Sequence, residues 1–77
     1  MSKHVLVIDD EQDLRELLTL TLSRMGISAT AVETLTEAKD ALEKSPFDLC
    51  LTDMRLPDGN GLDIVDHIQH NYPQTPV

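Results

Sequence analysis

The chain is 77 residues long and carries 14 acidic against 6 basic side chains, a net charge of −8. That length allows one small domain with a modest core. The charge excludes a nucleic-acid surface, which needs clustered Lys and Arg, whereas Lys3, Arg15, Arg24, Lys39, Lys44 and Arg55 are scattered. The single cysteine, Cys50, excludes an internal disulfide, and its place between Leu49 and Leu51 reads as a buried thiol. No apolar run approaches the roughly 18 residues of a membrane span. Met1-Ser2-Lys3-His4 lacks the apolar region and cleavage site of a secretory signal, so a cytoplasmic location is expected.

Val5 to Ile8 is a nearly continuous apolar run, as expected of a strand covered on both faces. It ends in Asp9-Asp10-Glu11. From Asp13 the period changes: Leu14, Leu17, Leu18, Thr21, Leu22 and Met25 make one helical stripe, and Gly26 supplies its stop. Ile27 to Val32 is a more polar strand, suited to an edge. Thr34-Leu35-Thr36-Glu37 has the form of a capping box, followed by the stripe Leu35, Ala38, Ala41 and Leu42. Ser45-Pro46 ends that helix, because the residue before proline avoids helical geometry. Asp48 to Thr52 is a third strand running into Asp53. The Pro/Asp/Gly-rich stretch 54–61 reads as a loop, and Leu62, Ile64, Val65 and Ile68 mark a third helix closed by Asn71-Tyr72-Pro73. Thr75-Pro76-Val77 has the look of an approach to a fourth strand.

The order β-α-β-α-β-α with short links implies one domain, a parallel sheet flanked by helices. In such sheets, sites lie at the carboxyl ends of the strands. If the first and third strands are neighbours, Asp9, Asp10 and Asp53 crowd one crevice. Carboxylates about 5 Å apart repel by roughly 3 kcal/mol at an effective dielectric near 20. A hard cation such as Mg²⁺, which favours oxygen ligands, would offset that, and aspartate is a competent covalent phosphoryl acceptor. The plainer reading makes the same acids helix caps and turn residues; it is the joint arrangement that favours chemistry. His67 and His70, three apart on the third helix, lack a third ligand and read as a solvated face, while Met25 and Met54 read as packing residues.

Two blocks, Val7-Ile8-Asp9-Asp10-Glu11 and Asp48-Leu49-Cys50-Leu51-Thr52-Asp53-Met54-Arg55-Leu56-Pro57-Asp58-Gly59-Asn60-Gly61, together resemble the receiver domain of two-component response regulators. The resemblance runs from Lys3 to Val77, and the second block is most similar to sigma-54-dependent activators of the type IV pilus regulator class. It implies a flavodoxin-like, receiver-type doubly wound sheet of order 2-1-3-(4-5), with residues 1–77 as the N-terminal part of that domain, incomplete after the third helix. It implies that Asp53 is the phosphoacceptor, charged by a partner histidine kinase. It implies Mg²⁺ bound by the Asp10 and Asp53 carboxylates and the Arg55 main-chain carbonyl, with Asp9 acting through water and metal positioning. Pro57, Gly59 and Gly61 would shape the loop after the acceptor. In the parent protein the module would control transcription, with DNA and sigma-54 polymerase reached through other domains. The chain itself is expected to be no enzyme.

The family also places a Ser or Thr at the end of strand four and a Lys at the end of strand five, and neither strand is contained in these 77 residues. Thr52 and Thr75 do not replace them. Strand three would then lie at or near an edge, and the chain is expected to be unstable alone or to pair with a second copy. Three other readings compete. A truncated module that docks the kinase without switching needs no further residues. An aspartate-nucleophile phosphatase of the haloacid dehalogenase type would want a second acid two residues after the first, for which Glu11 is the sole candidate, and would turn over free phosphate esters. A flavin or dinucleotide binder would need a glycine-rich first loop, whereas Asp9-Asp10-Glu11-Gln12-Asp13 would repel a phosphate.

Overall fold

The computed structural model describes residues 3–77; Met1 and Ser2, counted above in the predicted domain, lie outside the described residues. Three parallel strands, β1 (His4–Ile8), β2 (Ser28–Val32) and β3 (Leu49–Thr52), form a sheet of order β2-β1-β3. Helices α1 (Gln12–Arg24), α2 (Leu35–Lys44) and α3 (Gly61–Asn71) follow the three strands in turn. This is the expected flavodoxin-like arrangement, with β2 at an edge. One element differs from expectation: within the stretch read as a loop, β4 (Arg55–Leu56) and β5 (Gly59–Asn60) form a small antiparallel hairpin around Pro57-Asp58. Strands of two residues carry no periodicity from which they could be read.

The core lies between the sheet and α2 and α3. Val5, Leu6, Val7 and Ile8 are all buried, as a central strand covered on both faces requires. The pleat sends Leu6 and Ile8 to one side, where they join Cys50, Leu35, Ala38, Leu42, Leu56, Ile64 and Ile68 in one cluster. Leu62, counted in the α3 stripe, is instead 59% exposed.

Helix α1 departs further from its predicted stripe. None of its residues is fully buried: Leu18 and Leu22 are half-buried, whereas Leu14 is 37% and Leu17 58% exposed. Thr21 also faces solvent and turns its hydroxyl back to the Leu17 carbonyl at 2.8 Å. Among the described residues α1 packs mainly on β1 and β2, so one side of the stripe is covered and the other is not. Met25 and Met54, expected to pack, are 66% and 53% exposed. Met25 is the C-cap, past the last full turn, and Met54 lies in the loop after β3.

The helix ends follow local chemistry. Gly26, at φ 78°, donates to the Ser23 carbonyl, and Ile27 donates to Leu22, which is the Schellman arrangement. At the start of α2 the Thr34 hydroxyl oxygen accepts the Glu37 amide at 3.1 Å. The return half of the predicted box is different. Glu37 Oε1 accepts from the Glu33 amide and the Thr34 hydroxyl rather than from the Thr34 amide. After α3, the Cys50 amide donates to the Pro76 carbonyl at 2.9 Å and the Thr75 hydroxyl donates to the Phe47 carbonyl at 3.2 Å. The segment 75–76 thus runs beside β3, where an approach to a fourth strand is expected.

Candidate functional site

The register of β1 against β3 builds the site. Ile8 pairs with Thr52, and the Asp53 amide donates to the Ile8 carbonyl at 2.8 Å. Asp9 and Asp53 therefore leave adjacent strands at the same level, with Asp10 one residue on. Among the described residues, Asp9, Asp10 and Asp53 each offer a carboxylate oxygen within 4.8 Å of the others. A small cavity of about 120 Å³ adjoins Asp9 and Asp53, lined also by Val7, Ile8, Leu18, Leu51 and Thr52.

The three acids differ in setting. Asp9 is buried, at 7% exposure. Its Oδ1 accepts the Glu11 amide at 2.8 Å, which fixes the carboxylate at the mouth of α1. Its own amide donates to the Val32 carbonyl of β2. Asp10 is exposed and Asp53 half-buried. Arg55 opens β4, is exposed, and brings its amide to 3.5 Å from Asp53 Oδ1. For carboxylates about 5 Å apart an effective dielectric near 20 gives roughly 3 kcal/mol of repulsion per charged pair, which solvent lowers at Asp10. The donors are all hard oxygens, with no imidazole or thiolate among them, so the set suits Mg²⁺ rather than a softer transition metal.

Three residues have surroundings that the sequence pattern does not predict. Arg15 was counted as a scattered base. Its guanidinium donates to the Asp9 carbonyl at 2.8 Å and stands 3.9 Å from Glu33. A lone cation one helical turn beyond an acidic cluster is the signal that could have marked it. Asp58 caps α2 from the hairpin: its Oδ1 accepts the Leu35 amide at 2.8 Å, and its Oδ2 accepts the Thr36 amide and hydroxyl at 3.1 and 3.0 Å. The Leu35 bond is the main reason the Asp58 carboxyl sits below its ordinary pKa; desolvation opposes it, and the Thr36 bonds add to the lowering. Nothing local in the sequence identifies a capping partner 22 residues away. His67, expected on a solvated face, has its Nε2 shielded without a hydrogen-bond partner among the described residues, and the ring packs against Tyr72 at 5.9 Å. Both histidines stay outside the acidic cluster.

Strand order and the acidic crevice define a class of protein, and comparison with known proteins agrees. The response regulator receiver domain family matches residues 5–77. The chain is 57% identical over 72 residues to the response regulator protein PilR of Pseudomonas aeruginosa, covering 94% of this chain and 16% of that protein. It is 34% identical to the DNA-binding transcriptional regulator NtrC of Klebsiella pneumoniae, covering 92% of this chain and 15% of that one. It superposes on the beryllofluoride-activated NtrC4 receiver domain dimer, in solution, with a TM-score of 0.89 and 31% identity, over 96% of this chain and 62% of that one. The chain belongs to the response regulator receiver domain family. Within it, the expected likeness to sigma-54-dependent activators of the PilR and NtrC kind holds.

Membership carries general properties. Receiver domains have a phosphoacceptor role, bind Mg²⁺ at an acidic pocket, interact with histidine kinases and can dimerise. It also corrects one expectation, that the chain is no enzyme. A carboxylate that takes a phosphoryl group is itself the nucleophile of that transfer, and self-phosphorylation is open to such a domain, so a flat assignment to non-enzymes does not stand. No helix among the described residues is long and apolar enough to cross a membrane.

Proposed function

We propose that this chain is the N-terminal part, residues 1–77, of a receiver domain whose phosphoacceptor is Asp53. The observation that carries the reading is the convergence of Asp9, Asp10 and Asp53 from two neighbouring strand ends to within 4.8 Å. Asp10, Asp53 and the Arg55 main-chain carbonyl hold Mg²⁺, and Asp9, pinned by the Glu11 amide, positions it. The cation, when bound, offsets the repulsion among the acids and takes up charge on the phosphoryl oxygens.

Asp53 then acts as the nucleophile. One carboxylate oxygen bonds to phosphorus as the P–N bond of the kinase's phosphohistidine breaks, and the departing imidazole nitrogen keeps the electron pair and takes up a proton. In the longer protein the module, located in the cytoplasm, controls transcription through other domains, by analogy with the DNA-binding transcriptional regulator NtrC. The solved NtrC4 dimer supports pairing of receiver domains as a second property. The uncovered side of α1 favours a further reading, in which this segment docks the kinase without switching.

A Mg²⁺ titration followed by backbone amide shifts tests the site. Shifts centred on residues 9–11 and 53–55, abolished in Asp53→Asn, are expected. Shifts spread over the acidic surface and unchanged in that variant would contradict the assignment.

A further inference from the structure

We propose that Asp58 is a positioning residue of the site: by bridging the β4–β5 turn to the first turn of α2, it holds in place the loop that carries Arg55. The proposal rests on the Mg²⁺ site described above and extends it.

The geometry runs in one chain of contacts. Asp58 sits in the turn between Leu56 and Gly59, which pair with each other, as Arg55 does with Asn60. Its carboxylate spends both oxygens on α2, accepting the Leu35 amide, the Thr36 amide and the Thr36 hydroxyl. These are the first two residues of the helix, and amides there have no partner within it. On the core side, Leu56 and Leu35 belong to the same buried cluster, so the hairpin is held to α2 by packing as well as by hydrogen bonds. At its other end, the hairpin's first residue brings its amide to 3.5 Å from Asp53 Oδ1. A shift of the turn away from α2 therefore moves the segment 54–56 that follows the acceptor.

Two features separate this from ordinary helix capping. Thr34 already caps α2 locally, through the Glu37 amide, so Asp58 is a second cap brought from 22 to 23 residues away. And a cap supplied from the site loop ties two parts of the fold, whereas a local cap ties none. Negative charge next to a helix N-terminus is also favoured by the helix dipole, which strengthens the clamp without adding to the acidic crevice.

The test compares Asp58→Ala with Thr34→Ala, each in the full chain. Both remove a cap from α2, and only the first releases the loop. Mg²⁺ is titrated into each, and hydrogen exchange at the Arg55 amide is measured without metal. Expected in Asp58→Ala are a Mg²⁺ dissociation constant raised about fivefold or more and Arg55 exchange at least several-fold faster, with neither seen in Thr34→Ala. Asp58→Asn, which keeps one acceptor oxygen, should fall between. Equal behaviour of the two alanine variants, or an unchanged Arg55 amide in Asp58→Ala, would overturn the proposal. A wild-type chain that gives no Mg²⁺ response at Asp53 would overturn the metal assignment instead, and the Arg55 exchange rates would still decide whether Asp58 holds the loop.

Discussion

Gly61 stands against the main chain of Asp53: a Cβ at position 61 would lie 2.6 Å from the Asp53 carbonyl oxygen and 3.1 Å from Met54 Cα. The first residue of α3 is thus packed on the backbone of Asp53, and the Gly61 amide donates to the Met54 carbonyl at 2.9 Å. The glycine is required for close approach, in a place where the neighbours are backbone and cannot turn aside.

Gly61→Ala is therefore expected to push α3 and the loop after β3 apart. Overpacking of this kind costs roughly 1–3 kcal/mol, and the displaced atoms belong to Asp53. The variant should lose both melting temperature and Mg²⁺ response at residue 53. An alanine variant with wild-type Mg²⁺ shifts would show that the position of Asp53 does not depend on this contact.

Asn60 caps α3 in a complete box: its Oδ1 accepts the Asp63 amide, and Asp63 Oδ2 accepts the Asn60 amide, both at 3.2 Å. Asn60→Ala removes the side-chain half. Loss of such a cap costs about 1 kcal/mol, which in a domain of this size lowers the melting temperature by roughly 4–8 °C. Thermal melts followed by circular dichroism would measure it.

Two groups set the pH dependence, with opposite signs. The Asp58 carboxyl is lowered from 3.8 by the Leu35 amide first and by Thr36 after it. Its contribution to stability is full above 3.8 and is lost as pH falls through the lower folded value. The Cys50 thiol, 1% exposed, is pushed up from 9.0 to about 12 by burial. Its contribution is full below 9.0 and is lost as pH rises toward about 12. Urea melts across pH should show wild type losing stability at both ends, Asp58→Asn flattened on the acid side, and Cys50→Ala flattened on the alkaline side.

Much of this was legible in the sequence, for identifiable reasons. The apolar run 5–8 and the run 49–52 each end in acid, and parallel pairing of neighbouring strands then brings Asp9 and Asp53 together. Gly26 and Thr34 gave up helix ends through local chemistry alone. What stayed hidden was not local. The hairpin 55–60 is too short to show a period, and Asp58 finds its amides at the start of a helix, 22 and 23 residues earlier in the chain. Arg15 reaches back across a helical turn to a main-chain carbonyl, which no side-chain pattern records. The exposure of Leu17 and Met25 follows from how much of α1 is covered, a property of packing rather than of the stripe itself.

The most direct test of the central claim is phosphorylation at Asp53. The chain, and the same chain extended by two further β–α units, are incubated with acetyl phosphate and Mg²⁺ and followed by intact mass. One phosphoryl adduct is predicted, absent in Asp53→Asn and absent when Mg²⁺ is chelated. An adduct that persists in Asp53→Asn, or none in either wild-type form, would contradict the account.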